Sequence, residues 1–180
     1  MAENKKAIRI AGVVRESIVD GPGLRFTVFC QGCPHDCKGC HNMATHDFSG
    51  GYDCDISKIL DAIDQNPLLD GVTFSGGEPM CQPEAFYNLA TEVKSRGLNI
   101  VTYTGYTYEE LQQMSEKDRW VKGLMEMTDI LIDGRFVMEE RDLTLIYRGS
   151  RNQRVIDMNL TRSSGKLTLA EKYYKKKQKK

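Results

Sequence analysis

The residues best suited to chemistry cluster in CQGCPHDCKGCHN, which spans residues 30–42 and holds four cysteines and two of the chain's three histidines. Cys33, Cys37 and Cys40 are spaced as Cys-x3-Cys-x2-Cys and follow an apolar segment, residues 24–29. In a reducing compartment, cysteines this close together indicate a metal or redox role rather than a disulfide framework. Three thiolates in one loop suit an iron–sulfur cluster that leaves one iron without a protein ligand.

Zinc is the alternative metal for this segment. A closed zinc site needs four ligands, and Cys30, His35 or His41 could supply the fourth. Zinc ligands usually come as two separated pairs, however, and Cys54 and Cys81 stand alone downstream. The spacing therefore favours an iron–sulfur cluster.

A second candidate segment, TFSGGEP, covers residues 73–79 and follows a predicted strand. Gly76 and Gly77 would let the backbone approach a ligand closely, because glycine has no side chain to obstruct it. The carboxylate of Glu78 could neutralise an ammonium group. This segment is therefore a candidate site for a ligand that carries an amino group.

The elements that must position these segments alternate between helix and strand. Helical spacing of apolar residues predicts helices around residues 56–63, 83–97, 107–114 and 120–127. Short apolar segments predict strands at residues 24–29, 71–75, 99–103, 129–133 and 154–158. Strands that recur about every thirty residues are typical of βαβ units with parallel strands. Because a complete barrel needs about 250 residues, we expect an α/β fold with an open, partial parallel β/α barrel of about five to six strands.

In this combination, the cysteine loop and the Gly-Gly-Glu-Pro segment resemble the radical S-adenosylmethionine superfamily. The resemblance implies that Cys33, Cys37 and Cys40 hold one 4Fe-4S cluster and that S-adenosylmethionine chelates the fourth iron. Reduction of the cluster would then split the sulfonium into methionine and a 5'-deoxyadenosyl radical, which abstracts a hydrogen atom. The chemistry would be driven by the cofactors, so no catalytic side chain is predicted.

The same resemblance implies the residues that contact S-adenosylmethionine. Its adenine would lie beside Gly39, Cys40 and His41. Its methionine amino group would contact Gly76, Gly77 and Glu78. Asp133 and Arg135 end a predicted strand, and that position makes them candidates for binding the cofactor ribose. Arg148, Arg151 and Arg154 either bind a carboxylate of the cofactor or partner, or are solvated.

The segment DGPGLR, residues 20–25, narrows the resemblance to the activases of glycyl radical enzymes, and the similarity extends from Val13 to Asp157. Among these activases, the chain is most similar to those of anaerobic ribonucleoside-triphosphate reductase. The implied partners are the large subunit of that reductase, on which a glycine becomes a glycyl radical, and a flavodoxin or ferredoxin-type electron donor. The alternatives are an activase of another glycyl radical enzyme, such as pyruvate formate-lyase, and a zinc-stabilised interaction module.

Composition and charge set the limits of the organisation. The chain has 180 residues, 40% hydrophobic and 28% charged, with a formal net charge of zero. We predict one radical S-adenosylmethionine domain, residues 1–165, and a basic, flexible tail, residues 166–180, that holds seven lysines and one glutamate. No basic patch interleaved with aromatic residues accompanies the tail, so nucleic acid is not an expected partner. The sequence has no apolar run of about eighteen residues and no signal peptide, so we expect no membrane association and a cytoplasmic location.

Overall fold

Seven strands form one sheet in the computed structural model, which describes residues 7–174. The strands are β1 (Ala7–Ser17), β2 (Arg25–Cys30), β3 (Tyr52–Asp55), β4 (Gly71–Gly76), β5 (Asn99–Tyr103), β6 (Ile130–Asp133) and β7 (Arg154–Asp157). Their order across the sheet is β3-β1-β2-β4-β5-β6-β7. The sheet is open, since β3 and β7 each have a neighbour on one side only.

The four central strands, β2, β4, β5 and β6, are parallel, and the outer strands are antiparallel to their neighbours. The predicted α/β fold with an open, mostly parallel sheet is therefore confirmed, although the sheet has seven strands rather than five to six. The prediction that residues 154–158 add a parallel strand was wrong, because β7 runs antiparallel to β6. A parallel connection normally uses a crossover helix. The segment between β6 and β7, residues 134–153, contains no crossover helix; its regular structure is a 3₁₀ turn, Met138–Glu140, and a single β-bridge between Arg141 and Ser150.

Five helices connect and cover these strands: α1 (Ile56–Asp64), α2 (Pro83–Ser95), α3 (Tyr108–Ser115), α4 (Arg119–Met127) and α5 (Met158–Ser164). The predicted capping box of α3 is present, with Thr107 and Glu110 each bonded to the other's backbone amide. On α1 the four apolar residues of the predicted stripe, Ile56, Ile59, Leu60 and Ile63, are buried. The main core lies between the sheet and this helical layer, where Phe74 of β4 meets Phe86 of α2 edge to face at 5.0 Å.

A buried guanidinium fixes the start of β2. The side chain of Arg25 donates to Thr73 Oγ1 at 2.6 Å and to Val72 O at 2.7 Å, both on β4. It also donates to both side-chain and backbone oxygens of Asn99 on β5, and to Pro22 O in the preceding loop. Burial lowers the pKa of Arg25 to about 10. The arginine of the DGPGLR segment therefore anchors this loop to two neighbouring strands.

The end of the described chain lies against β7. Leu169 forms a β-bridge with Ile156, Ala170 is buried, and the hydroxyl of Tyr174 accepts from the amide of Val155 at 2.7 Å. The predicted boundary between residues 165 and 166 stays a prediction, and residues 175–180 of the predicted tail lie outside the described part of the chain. Within residues 7–174, no helix is long and apolar enough to cross a membrane.

Candidate functional site

A cavity of about 580 Å³ lies where the carboxyl ends of the four parallel strands meet. Its wall includes a residue from the loop that follows each of them: Cys33 after β2, Gly77 after β4, Thr104 after β5 and Gly134 after β6. Loops at the carboxyl ends of parallel strands are the usual location of ligand sites in α/β folds. The topology thus brings residues that are about 100 positions apart in the sequence to one place.

The three cysteines of the predicted motif all line this cavity. Cys33, Cys37 and Cys40 are half-buried free thiols. Backbone amides of His35 and Phe136 donate to the sulfurs of Cys33 and Cys37, respectively. Burial is the largest effect on both thiols: it raises the pKa of Cys33 to about 11 and raises the pKa of Cys37. The two amides act in the opposite direction, because a hydrogen-bond donor stabilises the thiolate. The cavity wall therefore offers three sulfurs, and two of them, those of Cys33 and Cys37, have backbone hydrogen-bond donors.

The donor set fits a 4Fe-4S cluster. Within residues 7–174, no three side chains of the His, Cys, Asp and Glu types converge as ligands of a single metal ion. Three thiols spread around one cavity suit a multinuclear cluster, because its cysteines bind different irons and leave one iron for another ligand. The single-ion zinc site that the sequence left open as an alternative has no such support.

The paired glycines are required by a close approach of two backbone segments. A Cβ atom on Gly77 would lie 2.3 Å from the carbonyl oxygen of Gly32, and one on Gly76 would lie 2.6 Å from the amide nitrogen of Cys30. Gly76 also has a φ of +97°, which favours glycine. Both glycines line the cavity, as expected of residues that present backbone to a ligand.

Glu78 is fully buried and is not among the residues that line the cavity. Its Oε2 atom accepts from His35 Nε2 at 2.7 Å, from the amide of Gly105 at 2.8 Å and from Thr104 Oγ1 at 3.0 Å. Its Oε1 atom accepts from the amide of Met80 at 3.0 Å. The predicted contact with a methionine amino group stays a prediction, and the carboxylate observed here joins three loops.

The other predicted cofactor residues divide into two groups. Gly39, Cys40 and His41 line the cavity, and a Cβ atom on Gly39 would lie 2.1 Å from the terminal methyl carbon of Met138. Asp133 and Arg135 do not line it, although Gly134 between them does. The segment after β6 therefore reaches the cavity through Gly134 and not through the two predicted residues.

The side chain of Asp133 is buried, and its hydrogen bonds are made within the protein. It accepts from the amide of Tyr108 at 2.7 Å and from Nε of Arg154 at 3.0 Å, and Arg154 also pairs with Glu109 at 2.7 Å. Arg135 is exposed and donates from Nε to His35 Nδ1 at 3.2 Å. Their assignment to the cofactor ribose stays a prediction.

Two cavity residues, Tyr103 and Leu143, were not among the predicted site residues, and His35 was considered only as a possible fourth zinc ligand. Tyr103 lines the cavity, and burial raises the pKa of its hydroxyl. Arg148 was one of three open arginine candidates; it lines the cavity, and its Nε atom has no hydrogen-bond partner among the described residues.

Comparisons with known proteins agree with this geometry. Residues 19–156 match the family model described as "4Fe-4S single cluster domain". The anaerobic ribonucleoside-triphosphate reductase-activating protein of Vibrio cholerae is 36% identical over 76% of this chain and 89% of its own length. Those of Haemophilus influenzae and Escherichia coli K12 are 35% and 32% identical, each over 76% of this chain, and 89% and 90% of their own lengths.

Among solved structures, QueE from Escherichia coli matches with a TM-score of 0.46 and 17% identity over 57% of this chain and 54% of that one. The sequence relatives are matched over nearly their full length at more than 30% identity. The chain belongs to the family of the anaerobic ribonucleoside-triphosphate reductase-activating proteins, in the radical S-adenosylmethionine superfamily, and contains its single-cluster 4Fe-4S domain.

Proposed function

We propose that this chain activates an anaerobic ribonucleoside-triphosphate reductase by removing a hydrogen atom from a glycine of the reductase large subunit. The observation that carries this proposal is the arrangement of three cysteines and two glycines around one cavity at the carboxyl edge of the sheet. In this proposal Cys33, Cys37 and Cys40 hold the 4Fe-4S cluster. When bound, the cluster and S-adenosylmethionine supply the one-electron chemistry.

The protein's contribution is to bind and orient the cofactor and to keep water away from the reacting atoms. Gly76 and Gly77 would present backbone atoms to the methionine amino group, with Glu78 fixing the segment that follows them. Gly39, Cys40 and His41 would lie beside the adenine. Asp133 and Arg135 stay candidates for binding the cofactor ribose. Asp133 would act indirectly, by fixing the position of Gly134.

Arg148 is our candidate residue for binding a carboxylate. Its guanidinium stacks on the ring of Tyr174 at 4.0 Å, and one buried N–H group has no partner among the residues that the structure describes. An unpaired buried donor costs free energy unless a ligand accepts from it. A carboxylate of the cofactor or of the reductase segment would satisfy this group.

The mouth of the cavity suits a polypeptide substrate. Leu143 and Val19 line the cavity, and yet their exposed fractions are 81% and 72%. Exposed apolar side chains beside a functional cavity are typical of protein interaction sites. We infer that they contact the reductase segment that carries the glycine.

The reductant and the location are part of the proposal. A flavodoxin or ferredoxin-type protein would deliver the electron. A cytoplasmic location, where thiols stay reduced, is in keeping with six free cysteines in the described structure.

The proposal is tested by anaerobic reconstitution followed by mixing with the reductase. We expect about four irons per chain, cleavage of S-adenosylmethionine after reduction, and a glycyl EPR doublet on the reductase. Separate alanine substitutions of Cys33, Cys37 and Cys40 should abolish iron binding, whereas Cys54→Ala, on the edge strand β3, should retain it. One bound zinc with no cofactor cleavage would refute the proposal, and a doublet on pyruvate formate-lyase alone would redirect it to that partner.

A further inference from the structure

We propose that His35 is a positioning residue for the cluster, because its buried hydrogen bond to Glu78 fixes the loop that carries Cys33 and Cys37. This inference rests on the proposed function only for the identity of the cluster ligands. It assigns a task to the one histidine of the cysteine loop that is directed away from solvent.

The bond between His35 and Glu78 is short and protected from water. The side chains are 4% and 0% exposed, and Nε2 lies 2.7 Å from Oε2. A hydrogen bond to a charged group is stronger in such an environment, and removing one partner leaves the other buried and unsatisfied. The contact should therefore hold the loop in one place.

The neighbouring arginine fixes the tautomer of His35. Arg135 donates from Nε to His35 Nδ1 at 3.2 Å, so Nδ1 must be the acceptor. Nε2 then carries the proton and donates to the carboxylate of Glu78. The imidazole thus lies between a guanidinium and a carboxylate, and Arg135 in turn pairs with Glu110 on α3 at 3.4 Å.

The other partners of Glu78 make it a junction between strands. Oε2 also accepts from the backbone amide of Gly105 and from the hydroxyl of Thr104, which follow β5, while Glu78 itself follows β4. One carboxylate oxygen therefore connects the ends of two parallel strands to the cysteine loop that follows a third. The ring of His35 is the group that extends this junction to the cysteines.

The surrounding atoms leave the ring one orientation. It packs edge-on against Tyr106 with 4.5 Å between ring centroids. On the side of β5, a Cβ atom on Gly105 would lie 2.2 Å from its Cδ2 atom. Glycine at position 105 is thus needed for the ring to reach Glu78.

The orientation of His35 matters for the cluster because its own backbone amide donates to the sulfur of Cys33. Hydrogen bonds to cluster sulfurs stabilise the reduced, more negative state and so raise the reduction potential. If the side chain loses its anchor, the amide loses its fixed direction. We expect a cluster that is both more weakly held and harder to reduce.

The test compares reconstituted wild-type protein with His35→Ala, His35→Gln and His46→Ala. His35→Ala should release iron to a chelator about tenfold faster or more, and an EPR-monitored redox titration should give a lower midpoint potential. His35→Gln should restore most of both properties, since its amide can donate to Glu78. His46→Ala should resemble wild type, because His46 lies in the same loop and lines the cavity, but its ring has only a 3.9 Å contact with the exposed Asp36.

A second variant displaces the ring without altering the cysteine loop. Gly105→Ala should lower iron retention and midpoint potential in the same direction as His35→Ala. Circular dichroism of the protein before reconstitution identifies any variant that fails to fold, and Gly105→Ala and His35→Gln then decide the result. Wild-type potential and iron retention in folded His35→Ala or Gly105→Ala protein would overturn the inference. Absence of a cluster from wild-type protein would instead contradict the proposed function.

Discussion

The backbone amide of Gly77 donates to the carbonyl oxygen of Cys30 at 2.8 Å, which joins the glycine-rich segment after β4 to the start of the cysteine loop after β2. The next amide, that of Glu78, donates to the carbonyl oxygen of Gly32, also at 2.8 Å. Two segments that sequence analysis treats as separate motifs are therefore one structural unit. Their relative position is set by these backbone hydrogen bonds.

We expect Gly77→Ala to disrupt this unit. The added Cβ atom would lie 2.3 Å from the carbonyl oxygen of Gly32, so one of the two backbones must move. The free energy of unfolding should fall by about 1–3 kcal/mol, and reconstituted iron should fall with it. Urea unfolding and iron analysis check both. Gly12→Ala is the matched control, because no atom lies within 4 Å of its Cβ position; equal losses in the two variants would contradict the explanation.

Replacing Arg25 should destabilise the sheet where β2, β4 and β5 begin. Arg25→Met removes a side chain that donates to oxygens on Val72, Thr73 and Asn99, and the bonds to Val72 and Thr73 are buried. We expect a loss of about 2–4 kcal/mol in the free energy of unfolding. Arg15→Met should cost less than about 1 kcal/mol, since Arg15 makes one exposed hydrogen bond, to Gln65. A similar small cost at both positions would show that the buried network contributes little.

Arg154 offers a comparison of a buried and an exposed partner. Arg154→Met leaves Asp133, whose side chain is 1% exposed, with the Tyr108 amide as its remaining partner described here, and should cost about 3–5 kcal/mol. Glu109→Gln removes only the exposed half of the network and should cost less than about 1 kcal/mol at neutral pH. Urea unfolding at pH 7 measures both, and equal costs would contradict the assignment.

The same pair predicts a pH dependence. The hydrogen bond from Arg154 lowers the pKa of Glu109 below its ordinary value of 4.5. A carboxylate with a lowered folded-state pKa stabilises the protein above 4.5, and this contribution is lost as the pH falls through the folded-state pKa. The stability of Glu109→Gln should therefore decline less steeply than that of wild type below pH 4.5. Parallel unfolding curves for the two proteins in this range would refute the prediction.

Because Val19 and Leu143 are exposed apolar residues that line the cavity, we expect a substitution there to affect only the reaction with the reductase. Leu143→Asp should weaken association with the reductase by about tenfold while iron content, potential and stability stay unchanged. The rate of glycyl radical formation as a function of reductase concentration measures the effect. Leu68→Asp is the control, since Leu68 is 75% exposed but does not line the cavity. Equal activity of the two variants would show that Leu143 does not contact the reductase.

The sequence was most informative where a local pattern determines a local structure. The apolar stripe of α1, the capping box of α3 and the four parallel strands follow from spacing alone. The direction of β7 was predicted wrongly as parallel, because its apolar residues are the same in either orientation and only the missing crossover helix distinguishes them. The edge strand β3 is short and polar, so it carries no periodic signal.

The cavity shows the same limit. Cysteine spacing identified three wall residues, whereas the role of His35 depends on a carboxylate 43 positions away. Local periodicity contains no information about such a pair. The buried state of Glu78 likewise depends on loops from β2 and β5 that meet only in the folded chain.

Because β7 pairs antiparallel with β6 and no crossover helix is needed, the two sides of the cavity are built in different ways. On one side, strand ends and their shared carboxylate form a stiff support for the cysteines. On the other side, one long connection, residues 134–153, contributes Met138, Leu143 and Arg148, and its regular structure is a 3₁₀ turn and a single β-bridge. The wall that carries the cysteines is therefore defined by strand pairing, whereas the opposite wall is defined by a single connection that can differ in length and sequence without altering those pairings.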